Sequence, residues 1–347
     1  KLVAKVEINT PDNKEIKAEK IIENFEKTIV SLPLSSIPVG SHKVIFKVID
    51  NQGKIVASTE NYIRKENPIS PPSREVKIDR ERLVILIDEK PFFPIGIYGV
   101  PPFQIKPFAE AGFNTVIRWT GLGNNPSLIR ASSPEIKRKL ITDYLDIAKE
   151  NGLNVIELPI GFMSKSALYG PNFYENFSYF LREELSYIIE TASKHPAVIA
   201  YYGPDEPPRD EKMRAACREY ADIVRKIDPY HPNFFLFCVD VPEWPEVYDV
   251  AGLDWYGIYP MISVYKTVKE KSEIVHKYRI PYWHVPLCEW WSGSIKGLTG
   301  EEQIIQSYLT IIGGANGILW WVWPPRYKDN WNALKKLAYE FNLLTPI

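Results

Sequence analysis

Apolar and polar residues alternate through the first part of the chain. Val3-Ala-Lys-Val-Glu-Ile8 and Lys43-Val-Ile-Phe-Lys-Val-Ile49 both follow a two-residue period, the pattern of strands with one buried face. Turn signals at Pro11-Asp-Asn13, Pro38-Val-Gly40 and Asp50-Asn-Gln-Gly53 separate these runs. Short strands at this spacing predict a small all-β sandwich of immunoglobulin type over residues 1–66. No cluster of acids, histidines or cysteines falls there, so the module reads as accessory. Residues 67–79 form a Pro-rich linker. Val76 to Pro91 reads as a hairpin that turns at Asp88-Glu-Lys90.

The pattern then changes. Short apolar runs predict strands at 93–98, 113–118, 153–158, 197–202, 233–238, 251–256, 281–288 and 316–322. Helical periodicity fills the gaps at 102–111, 135–151, 176–194, 209–227, 262–278, 300–313 and 329–342, with a short helix near 243–249. Ala111-Gly112 and Asn151-Gly152 supply helix C-terminal signals. Strand and helix in strict alternation, eight times over, predict an α/β fold, a (β/α)8 TIM barrel, over residues 80–347. A doubly wound open sheet is the alternative. Such a sheet carries a Gly-rich phosphate loop after its first strand, and Tyr98-Gly-Val-Pro-Pro102 is not one.

Bulk chemistry narrows the function classes. The net charge of −1 gives no electrostatic case for nucleic acid or an anionic membrane. No apolar run approaches the roughly 20 residues that span a bilayer. The three cysteines, Cys217, Cys238 and Cys288, lack metal-ligand spacing and rule out a disulfide framework. The 10 tryptophans concentrate after residue 240 and offer platforms for sugar rings, or alternatively fill a large core. Few Met and Gln beside many Lys, Glu, Ile and Pro lean toward a heat-adapted source. The first residue is Lys1, so the chain reads as processed or trimmed, with an extracellular or cell-surface location expected.

The candidate chemistry centres on Ala200-Tyr-Tyr-Gly-Pro-Asp-Glu-Pro-Pro-Arg209. A buried strand there stops at a rigid turn that holds two adjacent acids, Asp205 and Glu206. The carboxyl ends of strands are where barrel enzymes keep their active sites. The competing reading makes Asp205 a helix cap and Glu206 a partner of the helix's positive end. Other strand ends carry Arg118, Glu157, Asp240, Asp254, Tyr259, Glu289, Trp321 and Trp323, and mouth loops add Trp119, Trp290 and Trp291. Glu157, Asp240 and Asp254 are expected to serve as ladder-end caps or salt-bridge partners. A ring of acids walled by aromatics is the inventory of glycosidic hydrolysis. One carboxyl protonates the leaving oxygen, and a second attacks or stabilises the oxocarbenium-like carbon.

The order of these motifs resembles the large clan of retaining glycoside hydrolases built on (β/α)8 barrels, clan A. Lys90-Pro-Phe-Phe-Pro-Ile-Gly-Ile-Tyr98 and Ala111-Gly-Phe-Asn-Thr-Val-Ile-Arg118 look like the first two strands of those enzymes. The resemblance covers roughly residues 80–345. It implies a cofactor-independent glycosidase with no metal, acting on an oligosaccharide or polysaccharide. By the resemblance Glu206 matches the acid/base and Glu289 the nucleophile. Arg118 matches the arginine that contacts that nucleophile, Tyr259 the strand-six tyrosine, and Trp321 or Trp323 the platform under the sugar. The oligomeric state does not follow from any of this.

One position departs from the clan. Asp205 stands where the clan has Asn before the acid/base. An Asp-Glu pair instead resembles hexosaminidases that use substrate-assisted catalysis, in which the Asp orients a 2-acetamido group and the Glu is the acid. A non-catalytic carbohydrate-binding barrel is the reading from another class. A metal hydrolase is the most distant, because His42, His195, His231, His276 and His284 lack metal-ligand spacing. His195-Pro and His231-Pro precede strands four and five and belong at the bottom of the barrel.

Overall fold

A computed structural model describes residues 1–10, 15–24, 26–67, 69, 74–118, 133–162, 172–257, 259–289 and 297–345. Contacts divide the chain into two units, Lys1–Ser70 and Pro71–Ile347.

The first unit holds β1 (Val3–Asn9), β2 (Glu15–Ile21), β3 (Gly40–Ile49) and β4 (Ile55–Lys65), paired antiparallel in the order β2-β1-β3-β4. The two-residue period separates its faces. Val6, Ile8, Ile16 and Val44 pack on one side with Val30, Leu32 and Ile37. Lys5, Lys47 and Glu7 pair on the other. The sequence predicts a sandwich, and the described residues form one sheet. The second layer over its apolar face is the irregular stretch through Val30, Leu32 and Ile37.

The second unit begins with β5 (Val76–Asp79), β6 (Val84–Ile87) and β7 (Lys90–Phe92), an antiparallel three-stranded sheet where the pattern predicts a hairpin. Asp88 and Glu89 link β6 to β7 with φ of 52° and 65°. Two successive left-handed residues form the tight turn that matches strand twist. The Val76 amide donates to the Tyr230 carbonyl at 2.9 Å, and Arg74 reaches Asn154 and the Pro196 carbonyl. This sheet therefore lies against the amino ends of the barrel strands.

The barrel strands are β8 (Ile95–Tyr98), β9 (Thr115–Ile117), β10 (Asn154–Glu157), β11 (Val198–Tyr202), β12 (Asn233–Cys238), β13 (Val250–Trp255), β14 (Tyr282–Pro286) and β15 (Gly317–Trp320). They pair in parallel and close β15 against β8. The α-helices among the described residues are α1 (Ile105–Glu110), α2 (Pro134–Glu150), α3 (Phe173–Glu183), α4 (Leu185–Ala192), α5 (Glu211–Ile227), α6 (Ile262–His276), α7 (Gly300–Ile312) and α8 (Lys328–Leu344). Ser133 and Asp210 cap α2 and α5, and Thr299 with Glu302 forms a capping box on α7.

Two helices differ from expectation. The run 176–194 breaks at Glu184, which ion-pairs with Lys137 of α2 at 2.7 Å. The stretch 243–249 is a turn, because Pro242 and Pro245 remove amide donors and the Tyr248 hydroxyl donates to the Pro242 carbonyl at 2.6 Å.

Aromatic rings fill the barrel. Tyr98 meets Tyr202 edge-on at 6.0 Å, Tyr202 meets Phe234 at 5.2 Å, and Phe234 meets Trp283 at 5.0 Å. Gly252 sits among them because a Cβ there would lie 2.5 Å from the Trp283 carbonyl and 2.8 Å from the Phe234 ring. The filled lumen leaves only the two ends of the barrel open to chemistry.

Candidate active site

At the carboxyl end of β11 the chain leaves the barrel through Gly203. A Cβ at Gly203 would come 2.7 Å from the Phe235 ring, so only glycine lets the strand turn there. Pro204 stiffens the exit. Glu206 then adopts φ of 43°, and its amide donates to the Leu236 carbonyl of β12 at 3.1 Å. A left-handed residue with a side chain costs about 1–3 kcal/mol, and such strain clusters at functional sites. The turn leaves Asp205 half-buried and Glu206 exposed.

Three carboxyls converge at this turn. The Tyr202 hydroxyl donates to Asp205 Oδ1 at 2.6 Å, and the Tyr98 hydroxyl lies 3.4 Å from that of Tyr202. Burial pushes the Asp205 carboxyl up to about 7; the Tyr202 hydrogen bond opposes this and the charge of Glu206 adds to it. Asp254, near the end of β13, is 7% exposed. Its carboxyl lies near those of Glu206 and Asp205 and near the Tyr256 hydroxyl, and its Oδ1 has no hydrogen-bond partner. Burial first, then Glu206, push Asp254 up to about 9. The Cys238 thiol, level with Asp254 in the β12–β13 ladder, also lies near Glu206. Burial and the neighbouring acids push it up to about 11.

A different solution appears at β9 and β10. Arg118 donates from Nε to both Glu157 oxygens, at 2.9 and 2.8 Å, and a second guanidinium nitrogen also reaches Glu157. Arg118 is 4% exposed and Glu157 fully buried. The ladder sets Glu157 beside Tyr201, whose hydroxyl reaches Asp228 at the end of α5. The next residue, Tyr202, points the other way, to Tyr98. The pair thus occupies the helix side of the barrel wall, with Tyr144 of α2 close enough to feel both charges.

The remaining candidates divide. Glu289 is 6% exposed and accepts from the Arg326 amide at 2.9 Å; its ion pair among the described residues is with the Arg326 guanidinium at 3.3 Å. The expected pairing of Arg118 with Glu289 is replaced by Arg118–Glu157 and Arg326–Glu289, because register turns Arg118 toward the helices. Trp321 meets Tyr98 edge-on at 5.4 Å, at the edge of the carboxyl cluster. Trp323 packs on Phe108 and Trp331 and donates to Gln104, among the helices. Tyr259 is 63% exposed and donates to Glu302 of α7. The tyrosine that strand six brings to the acids is Tyr256. Trp119, Trp290 and Trp291 lie outside the described residues.

Asp240 pairs with Arg209 and Lys271, as expected of a salt-bridge partner. Asp254 belongs to the acid cluster instead. Among the described residues no group of three His, Cys, Asp or Glu side chains is arranged to hold a metal ion. No helix among them is long and apolar enough to cross a membrane. His195 bonds to Asp146 and His231 to Asp228, near the amino ends of β11 and β12. Sequence reasoning missed Tyr98, Tyr202, Tyr256, Cys238 and Arg326. The tyrosines had one signal, since each ends or directly follows an apolar strand run.

No family model matches the chain, and no curated protein matches it. Solved structures do. A β-D-glucuronidase of Dictyoglomus thermophilum is 14% identical over 98% of this chain and 64% of its own, with a TM-score of 0.54. A GH2 β-galacturonidase from Eisenbergiella tayi, bound to galacturonate, is 14% identical over 98% of this chain and 67% of its own, with a TM-score of 0.54. A β-glucuronidase of Ruminococcus gnavus is 14% identical over 92% of this chain and 57% of its own, with a TM-score of 0.50. This chain therefore spans less than two thirds of the length of the glucuronidases it resembles. At this identity the likeness establishes a shared fold.

Proposed function

We propose that this protein hydrolyses O-glycosidic bonds in an oligosaccharide or polysaccharide. Glu206 is the acid/base and Glu289 the nucleophile of a retaining double displacement. The observation that carries this reading is the exposed Glu206 carboxyl, held on a left-handed turn at the barrel mouth beside two further acids, Asp205 and Asp254. A leaving oxygen needs a proton, and a barrel mouth is where a substrate can receive it. Trp321 beside Tyr98 offers an apolar wall for a sugar ring. The fold shared with enzymes named for glucuronides and galacturonides makes uronides the first substrates to try.

A second reading has its own support. Asp205 stands beside Glu206, held by Tyr202, where it could orient a 2-acetamido group. The test is turnover of an aryl-glycoside panel that includes glucuronides, galacturonides and 2-acetamido sugars. Glu206→Gln should abolish turnover under either reading. Loss in Glu289→Ala with rescue by azide, as a glycosyl azide, supports the double displacement. Loss in Asp205→Asn with Glu289→Ala still active transfers the chemistry to the substrate-assisted route. Sugar binding with no turnover by the wild type would leave a binding barrel.

A further inference from the structure

Glu289 follows β14, and both oxygens of its carboxylate meet Arg326, in the loop between β15 and α8. The Arg326 amide donates to Oε2 at 2.9 Å, and the guanidinium lies 3.3 Å from Oε1. We propose that Arg326 is the positioning residue of Glu289. It sets the plane of the carboxylate for attack on the anomeric carbon and stabilises the carboxylate when it leaves again. This rests on the reading of Glu289 as nucleophile; the clamp rests on the contacts themselves.

The last torsion of a glutamate side chain is broad, so a carboxylate needs fixed donors to hold one plane. The two contacts from Arg326 engage different oxygens, and rotation would break at least one of them. The loop that carries Arg326 is anchored on both sides of it. Before it, the Trp321 carbonyl accepts from the Glu289 amide at 3.1 Å; after it, Asn330 Nδ2 of α8 donates to the Cys288 carbonyl at 2.9 Å. Backbone and side chain of Glu289 are therefore tied to one loop. Tyr327 closes the cradle, with its ring centroid 5.9 Å from the Arg326 guanidinium carbon. The ring packs over Gly297, where a Cβ would lie 2.6 Å from it and 3.5 Å from Glu289 Oε2. An exposed ion pair between two flexible side chains holds little. This one differs, because Glu289 is buried and a backbone amide supplies half of the grip.

The two half-reactions use the clamp unequally. In the first, one Glu289 oxygen gives an electron pair to the anomeric carbon. The bond from that carbon to the leaving oxygen breaks, and the leaving oxygen takes the Glu206 proton. Glu289 becomes a neutral ester, and the guanidinium loses a charged partner. In the second, water attacks the anomeric carbon and its proton goes to Glu206. The electron pair of the ester bond returns to Glu289, whose charge reappears beside the guanidinium. Arg326 therefore favours the second half, where charge returns to Glu289, over the first, where charge leaves it.

Arg326→Met in the full chain keeps the amide and the apolar stem and removes the charge. The aryl-glycoside panel names the sugar; its 2-deoxy-2-fluoro glycosyl fluoride then traps the glycosyl-enzyme, which peptide mapping locates. The expected result is label on Glu289, with reactivation in water slower by about 10–100-fold in Arg326→Met, the worth of one hydrogen bond to a charged group. The same variant should release a burst of dinitrophenolate from a dinitrophenyl glycoside before a slow steady state. Arg326→Lys, which keeps the charge, should recover much of the rate, as should free guanidinium added to Arg326→Met. Label on Glu289 with equal reactivation in wild type and Arg326→Met, and no burst, would overturn the proposal and keep the nucleophile. Label elsewhere, or no turnover across the panel, would overturn the nucleophile reading and the proposal with it. Should Arg326→Met unfold, Arg326→Gln decides by the same rates.

Discussion

Glu157 closes the third barrel strand and Asp254 nears the end of the sixth, and both side chains are buried. A buried carboxyl must dispose of its charge. Glu157 does so with a cation, taking both oxygens into contact with Arg118 on the helix side of the wall. Asp254 meets acids, phenols and a thiol instead of a cation, and burial with Glu206 pushes its carboxyl up. The first solution is closed: every charge is matched and nothing needs to move. The second is unmatched: Asp254 Oδ1 has no hydrogen-bond partner. Barrel geometry puts both carboxyls at the carboxyl ends of strands, and the partner each one meets decides whether it holds the fold or does chemistry.

The comparison can be broken in several places. The largest effect should come from Glu206→Gln, with kcat lower by about 10²–10⁴-fold and an unchanged melting temperature; steady-state kinetics beside a thermal melt would show it. A melting temperature that falls in step with activity would make Glu206 a structural residue. Next is Glu157→Ala, which strands the Arg118 charge in the wall and should cost about 3–5 kcal/mol by denaturant unfolding. Folded enzyme should keep its turnover per site. Loss of turnover without loss of stability would return Arg118 and Glu157 to the site.

Asp254→Asn should have the opposite sign in stability. Burial and Glu206 push native Asp254 up to about 9, while in the unfolded chain the carboxyl returns to the ordinary aspartate value of about 4. Between those values the native state binds more protons, so wild-type stability falls as pH rises. The Asn variant escapes that loss. Its melting temperature should exceed that of the wild type by about 2–4 °C or more in mildly alkaline buffer, and the gap should close toward pH about 4. A gap independent of pH would mean that Asp254 is ionised in the folded protein. The smallest effect belongs to Tyr202→Phe, about 0.5–1.5 kcal/mol for one lost hydrogen bond. That bond holds Asp205 down, so its loss should move the Asp205 titration above about 7, readable by carboxyl NMR.

Much of this barrel is legible along the chain. Strands and helices alternate as the periodicity predicts, most strand ends shifting by one or two residues, and the Asp205–Glu206 turn stands out because three prolines and a glycine frame it. The small sheet β5–β7 is half legible: the β6–β7 turn is local, but β5 joins it across residues with no clear alternation. The site is less legible. Arg118 and Glu289 look like partners by motif, yet each finds another, Glu157 and Arg326. Tyr259 fits the motif by position, yet Tyr256, three residues earlier, is the phenol that lies near the acids.

Local sequence determined where strands start and stop, because apolar periodicity, proline and glycine act over a few residues. It also determined that carboxyls would gather at one end, since strands of a parallel barrel share a direction. Which carboxyl meets a cation and which meets another acid was decided only when eight strands closed into a ring. Closure sets whether a strand-end residue faces the lumen or the helices, and a one-residue shift of register reverses that choice. The β10–β11 ladder carries such a shift at Val155–Ile156, just before Glu157. The raised Asp254 carboxyl is the furthest consequence: it follows from burial and from Glu206, which is distant from Asp254 in the chain.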